Sequence, residues 1–177
     1  DQTIGAVCGR QLPHLNANPL ASHLRIFNYS NESCIKDFKD IKKNGLKTAF
    51  MSNSFAAYDI RILHEINGFP NDIIISEDMY VSAKMILNDY KTYYCADAIV
   101  KHSHNYLFFE EFKRYFDIGV FHASNPFLLD NFGLTNNGGL KYLMSELCFT
   151  FKRGSLFWFF NSLIRSFLKF FAYNLGK

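Results

Sequence analysis

The stretch Ile73–His104, IIISEDMYVSAKMILNDYKTYYCADAIVKHSH, decides the fold class. It opens with an apolar run, Ile73 to Ile75, that reads as a strand and ends at Ser76. From Glu77 to Leu87 the apolar residues return at helical spacing, with Met79, Ala83, Ile86 and Leu87 on one side. Tyr93 to Val100 reads as strand again and runs into Lys101-His102-Ser103-His104. Strand, helix and strand in succession make the repeating unit of a layered α/β protein.

Working outward, the upstream chain repeats the theme. Ile4 to Cys8 is a short apolar run, expected to be a strand entering Gly9-Arg10-Gln11-Leu12-Pro13. Leu20 to Lys43 is mixed and polar, which predicts one or two surface helices closed by Gly45. Lys47 to Met51 predicts a short strand, and Ser52-Asn53-Ser54 a cap for a helix over Phe55 to Ile66. Asn67-Gly68-Phe69-Pro70 stops that helix. Downstream, Phe108 to Phe121 predicts another helix. Asn136-Asn137-Gly138-Gly139 predicts a loop, and two further helices follow with Gly154 between them. The fold expected is an α/β sandwich with a helical C-terminal extension. Residues 1–125 form its main part and residues 126–177 the extension.

The composition supports a packed protein. Of 177 residues, 49% are hydrophobic and 20% charged, enough to bury a core and too apolar for a disordered chain. Twenty Phe and ten Tyr are read first as an aromatic core, with a sugar-binding cleft or a membrane-facing surface as the alternatives. The net charge of +3 is too small to argue for nucleic acid, but it is unevenly placed. From Leu147 onward there is no Asp or Glu, while Lys152, Arg153, Arg165, Lys169 and Lys177 supply five positive charges. The rest of the chain is therefore slightly acidic, and the basic character sits in the tail. Cys8, Cys34, Cys95 and Cys148 form no C-x-x-C pair, so a zinc knuckle is excluded. Several of them lie in apolar runs and read as buried thiols of a cytosolic protein. The first residues have neither a start methionine nor the charged opening of a signal peptide.

Chemistry could sit at a few places. Glu77 and Asp78 follow an apolar run and open a helix, where the helix N-terminus favours their ionised forms. They can simply complement the helix dipole, or one can accept a proton from a hydroxyl as it attacks an electrophilic carbon. His102 and His104, at i and i+2 of an extended segment, point to one side. They could bind a divalent metal, or one could bind metal while the other meets phosphate. Gly9 permits close backbone approach, and Arg10 beside it can clamp a phosphate or lie in a surface turn. Phe69 in its turn could cover a sugar face or pack into the core. Arg114-Tyr115-Phe116-Asp117 could line a cleft or form a solvated helix face.

Taken in order, these pieces resemble one family. The string GRQLP and the later FNY lie within Gly9–Tyr29, and the spaced pattern of Gly45–Tyr58 ends in AAY. GFP, EDM and SAK follow between Gly68 and Tyr90, then VKHSHNY up to Tyr106 and FKRYFDIGVFH from Phe112 to His122. This succession resembles the rhamnosyltransferase branch of the family-2 glycosyltransferases. The likeness covers residues 4–125 well and is looser to the end, where KFFAYNLGK also looks like the family's C-terminus. It implies a GT-A fold and an inverting enzyme using a nucleotide sugar, dTDP-L-rhamnose, with a divalent metal (Mg or Mn). The acceptor would be a lipid-linked glycan of a bacterial O-antigen or capsule. By position, Asp78 would be the general base, with Glu77 supporting it or meeting the acceptor. A histidine of the His102–His104 motif, His102 in preference, would help hold the metal diphosphate. Arg10 and Gln11 would lie near the donor, and Ser52 and Asn53 would shape the loop under the transferred sugar. The family's D-x-D metal motif is missing: Asp37 and Asp40 are too widely spaced. The expectation is a C-terminal portion of a larger enzyme, inactive in isolation.

The tail adds one more expectation. Ser155 to Leu175 is rich in Phe and Leu, while Ser162, Arg165, Ser166 and Lys169 form one polar stripe at helical spacing. A wide apolar face with a cationic stripe suggests a helix lying on the inner face of the cell membrane, through residues 155–175. The two cations argue against a spanning helix, at roughly 2.5–3.5 kcal/mol each near mid-bilayer. The competing reading of the whole chain is a non-catalytic membrane-surface module.

Overall fold

The computed structural model describes residues 2–133 and 138–177. The protein is α/β, and its chain divides into two compact units, each discontinuous in sequence. The first comprises Asp1–Arg10, Asn31–Val100 and Ser124–Asn136. The second comprises Gln11–Ser30, Lys101–Ala123 and Asn137–Lys177.

The first unit is built on a four-stranded sheet of order β2-β4-β1-β3. The strands are β1 (Ile4–Leu12), β2 (Cys34–Lys36), β3 (Ala56–Tyr58) and β4 (Lys91–Lys101). β3 pairs antiparallel with β1, Val7 opposite Ala57, and β2 antiparallel with β4, Ile35 opposite Tyr93. Both central strands are longer than the apolar runs that announce them. Polar residues such as Arg10, Gln11, Asp97 and Lys101 continue the ladder because main-chain pairing does not depend on side-chain type.

Several local expectations are corrected. Lys47 to Met51 is not a strand: Gly45–Ala49 is a 3-10 turn, and Leu46 N–H bonds Gly133 O rather than a neighbouring strand. The helix expected over Phe55 to Ile66 begins late. Ala56–Tyr58 is taken by β1, and Asp59 caps α3 (Ile60–Glu65) by accepting the Arg61 N–H at 2.9 Å. The polar stretch 20–43 holds α1 (Pro19–Asn28), the short strand β2 and one turn of helix, α2 (Ile41–Asn44). Ile73 to Ile75 is not a strand, and the chain turns at Ser76 with φ 69. Of the thiols only Cys8 is buried; Cys34 and Cys148 are exposed and Cys95 is intermediate.

Against the sheet lies α4 (Glu77–Leu87), which buries Val81, Ser82, Ala83, Met85 and Ile86. The core here is almost wholly apolar: Ala6, Cys8, Ile62, Val81, Met85 and Ile86 are all under 6% exposed. Gly9 is required by packing, because a Cβ there would collide with the Phe55 ring and Ala98 O. α6 (Phe127–Phe132) completes the unit, burying Leu128 and Phe132.

The second unit is helical: α1, α5 (Phe108–Ser124), α7 (Gly138–Lys152) and α8 (Leu156–Gly176). α1 starts where the sequence dictates, with Asn18 Oδ1 accepting the Ala21 N–H at 2.9 Å and Pro19 at the first position. Gly138 and Gly139 open α7 rather than a loop, and the Asn136-Asn137 part of that expectation lies outside the described residues. α5 and α8 touch backbone to backbone at Gly119 and Gly176, where any Cβ would clash with Tyr173 O or Phe116 O. Here the interior mixes apolar residues such as Leu20, Phe121 and Ala172 with many polar ones. Gln11, His23, Glu111, Glu146, Thr150, Ser162 and Arg165 are all buried.

The stripe expected on α8 exists but is turned inward. Arg165 is 8% exposed and the Lys169 side chain 13%, and both hold the carboxylate of Glu111. A surface cationic stripe is thus corrected to a buried one. The reason is Glu111, whose charge on α5 would otherwise be buried without a partner.

Candidate functional site

In the first unit, Ser76 in the left-handed region reverses the chain so that Glu77 and Asp78 form the first turn of α4. A serine with φ 69 lacks glycine's freedom, and strain of this kind is retained where the surrounding structure over-determines it. Ser76 makes no side-chain cap, so the carboxylates of Glu77 and Asp78 supply the acidic charge at this helix start.

Asn53 ties the pair together. Its backbone N–H donates to Asp78 Oδ2 at 3.0 Å, and its side-chain amide donates to Glu77 Oε1 at 2.8 Å. The Met79 N–H donates to the other Asp78 oxygen at 2.8 Å. Tyr58 in turn donates its hydroxyl to Asn53 Oδ1 in a short hydrogen bond. The Tyr58 phenol is held above its usual range, by burial first and then by Asp78, Cys8 and Glu77, so it remains a donor. Phe69 packs edge-on against Tyr58, ring centres 5.1 Å apart, and stays 37% exposed rather than entering the core. Ser52 borders it, and its backbone donates to Cys8, whose thiol is pushed up chiefly by burial.

Asp78, Glu77, Ser52 and Asn53 are therefore brought together, on an open, partly exposed surface of the first unit. Tyr58 is the member that sequence reasoning missed. Its signal was the AAY triplet, whose meaning depends on β3 pairing with β1 rather than on helix periodicity. Arg10 is half-buried on β1, with Nε lacking a hydrogen-bond partner among the described residues.

In the second unit, β4 ends as His102 N–H bonds Leu12 O at 2.8 Å. His102 and His104 converge as their spacing predicts, Nε2 to Nε2 at 3.1 Å. The loop is braced from α1 and the segment before it. His14 N–H donates to Ser103 Oγ at 3.1 Å, Asn18 N–H to Asn105 Oδ1 at 2.8 Å, and Asn105 Nδ2 to Asn16 O at 3.0 Å. The His104 ring stacks on Tyr106. Both histidines sit below their ordinary range. For His102 the causes are burial, then Arg25, His104 and His14; for His104 they are burial, Arg25, Arg114 and His14, partly opposed by Glu110. Both are therefore neutral at pH 7 and able to donate lone pairs. Gln11 is buried, and its Oε1 accepts from Arg25 Nη1 at 2.7 Å.

The fit of this pair to a divalent ion can be tested on distance. Two cis ligands each about 2.1 Å from an ion lie about 3 Å apart, which is the observed Nε2 separation. Yet among the described residues no group of three His, Cys, Asp or Glu is placed to hold a metal ion. The same 3.1 Å is that of a hydrogen bond between the two rings, and two imidazoles alone are a donor set less suited to Mg than oxygen ligands, so an ion here would need most of its ligands from phosphate oxygens or water.

A larger polar cluster in the second unit was not foreseen. Glu146, fully buried, accepts from Tyr142 and Ser162 hydroxyls, both at 2.5 Å, and lies 3.8 Å from His23 Nδ1. Burial alone would raise the Glu146 carboxyl; His23, Lys169, Ser162 and Tyr142 outweigh it and hold the group below its ordinary value. Arg165 and Lys169 meet Glu111 at 2.6 and 2.9 Å. The cavity beside these groups is about 30 Å³, room for a water and not for a sugar ring.

No protein-family model matches the chain, and no solved structure does. Among curated proteins it is similar to the O-antigen chain rhamnosyltransferase RfbN of Salmonella typhimurium, at 52% identity over 177 residues, covering 100% of this chain and 56% of that protein. It is also similar to the O-antigen chain rhamnosyltransferase WbaN of Salmonella anatum, at 51% identity with the same coverage. The chain thus spans a little over half the length of the curated relatives it matches.

Proposed function

We propose that the chain is the acceptor-side part of an inverting, GT-A-type glycosyltransferase. In this reading it serves the transfer of L-rhamnose from dTDP-L-rhamnose to a lipid-linked glycan, in the synthesis of O-antigen or a capsule. The observation that carries the reading is similarity along all 177 residues to two proteins named as O-antigen chain rhamnosyltransferases. The Asn53-bridged carboxylates support it from the chemical side.

Asp78 accepts the proton of the acceptor hydroxyl as that oxygen attacks the anomeric carbon. The two carboxylate oxygens of Asp78 take the backbone N–H groups of Asn53 and Met79, which fixes the direction of the carboxylate. Glu77, anchored through the Asn53 amide, meets a second acceptor hydroxyl or steadies the base. Ser52 and Asn53 shape the loop under the transferred sugar. Arg10 and Gln11 are assigned to the neighbourhood of the donor, with Gln11 Oε1 engaged by Arg25. A bound divalent ion would neutralise the leaving diphosphate, so no protein acid is needed there. His102 and His104 are the residues that would hold it.

The test is sugar transfer from dTDP-rhamnose to a membrane extract by the whole gene product, with Mg²⁺ or Mn²⁺, beside Asp78→Asn. Transfer by the wild type and a loss of about a hundredfold or more in the variant are expected. Equal activity in the variant would remove Asp78 as base while leaving the transferase. Transfer only from another nucleotide sugar would remove rhamnose.

A further inference from the structure

Helix α8 is polar toward its own unit and apolar toward the outside. Its buried residues are Ser162, Arg165 and Ala172, with Lys169 beside them. Ten of its residues are exposed, and every one except Asn174 is a large apolar side chain. At 3.6 residues per turn these ten fall within an arc of about 140°, opposite the Ser162–Arg165–Lys169 side. Phe167, near the centre of the arc, is 76% exposed; Phe160, Ile164, Phe170 and Phe171 are all above half. Over 21 residues the arc is about 30 Å long. A continuous exposed apolar face of this kind marks an interaction surface.

We propose that this arc docks on the surface of a lipid bilayer containing anionic headgroups, with α8 lying parallel to the membrane. Three observations select lipid over a protein partner. First, the arc offers Asn174 alone as a polar side chain, whereas protein interfaces carry a hydrogen bond for about every 100–200 Å² and a polar rim. Second, the ends of the helix are cationic: Lys152 at the end of α7, Arg153 in the turn that follows and Lys177 after α8 are exposed, and no acid lies between Leu147 and the end. This charge complements anionic headgroups at the depth where an interfacial helix would meet them. Third, the two cations within the helix are drawn inward by Glu111 at 2.6 and 2.9 Å, so the outward arc carries no charge to keep it out of the acyl boundary. Among the described residues no helix is long and apolar enough to cross a membrane, which leaves the interfacial position for α8. The attraction therefore belongs to the aromatic arc and the α7–α8 turn, and not to Arg165 and Lys169.

The test needs no sugar donor, so it succeeds or fails independently of the transferase reading. The whole gene product is sedimented with vesicles of phosphatidylethanolamine and phosphatidylglycerol, beside Phe160→Ser/Phe167→Ser and Lys152→Gln/Arg153→Gln. The wild type is expected to bind. The aromatic double variant should lose at least about tenfold in partitioning with its melting temperature held, and the turn variant several-fold, with the loss mimicked by salt. Should the double variant fail to fold, Phe167→Gln alone, at the most exposed position of the arc, takes its place. The proposal is overturned if the wild type stays in the supernatant. It is equally overturned if the aromatic variants bind as well as the wild type, or if the wild type self-associates through the arc without binding vesicles.

Discussion

The two units solve the placement of charge in opposite ways. In the first, the interior is apolar around Val81, Met85 and Ile86, and the carboxylates of Glu77 and Asp78 stand at its partly exposed margin. In the second, Glu111, Glu146, Arg165 and His23 are inside, and the aromatic residues of α8 are outside. On the proposed reading, the contrast separates carboxylates offered to a substrate from carboxylates kept for structure. A carboxylate that is to take a proton from a substrate must be reachable and aimed, and a few hydrogen bonds from Asn53 and Met79 suffice. A buried carboxylate must be matched by cations and donors or the unit will not close.

The largest expected effect therefore falls on the second unit. Glu111→Leu leaves Arg165 and Lys169 buried without their acid. Breaking a buried pair from one side costs about 3–5 kcal/mol, which in a chain of this size lowers the melting temperature by on the order of 10 °C. A calorimetric scan would read it. A shift of only a degree or two would show that water reaches this cluster and that the contrast between the units is overdrawn.

Next in size is the reverse case. Asp78→Asn should reduce transfer by about a hundredfold or more, roughly 2.7 kcal/mol on the barrier, while moving the melting temperature little. A variant that loses stability and activity together would place Asp78 among the structural charges. Asn53→Ala should act more weakly, about tenfold in kcat, because it frees Glu77 while the backbone N–H to Asp78 remains. Tyr58→Phe removes one bond further out and should cost about threefold, read as a fall in kcat at similar KM.

How much of this was legible in the sequence follows the same division. α4, β4, α5 and α8 were readable because each is long enough to show its period. β2 and β3 were not, because three residues carry no period and their strand state comes from the partners Tyr93 and Val7. Glu77 and Asp78 could be singled out as a pair at a helix start. That Asn53 links them could not, since the bond spans 24 residues and depends on where β3 places the loop. The stripe on α8 was correctly composed from spacing and wrongly aimed. A helical wheel states which residues share a face; it does not state whether that face meets water or the acid of another helix. Only the position of Glu111 on α5 decides that.

The smallest predicted effect is the pH dependence of the second unit's stability, and it tests the buried network without altering it. The Glu146 carboxyl sits below its ordinary value of 4.5, because His23, Lys169, Ser162 and Tyr142 outweigh its burial. A depressed carboxyl contributes stability that is present above the unfolded value and is lost as pH falls through the folded one. Lys169 behaves oppositely. Burial would lower it, but Tyr115, Glu111 and Glu146 hold it above 10.5, so its contribution is complete below that pH and is lost as pH rises through the folded value. With the depressed histidines His102, His104 and His122, whose contribution is lost as pH falls below about 6.5, they predict a plateau between about pH 7 and 10 with a fall at each end. Lys169→Met should weaken the alkaline fall, leaving the part that the raised Tyr142 phenol supplies, and soften the acid one, since the Glu146 carboxylate then loses one of the charges that depress it. An unchanged alkaline limb would mean that Lys169 is solvated, leaving Arg165 and Ser162 to hold the inward face of α8.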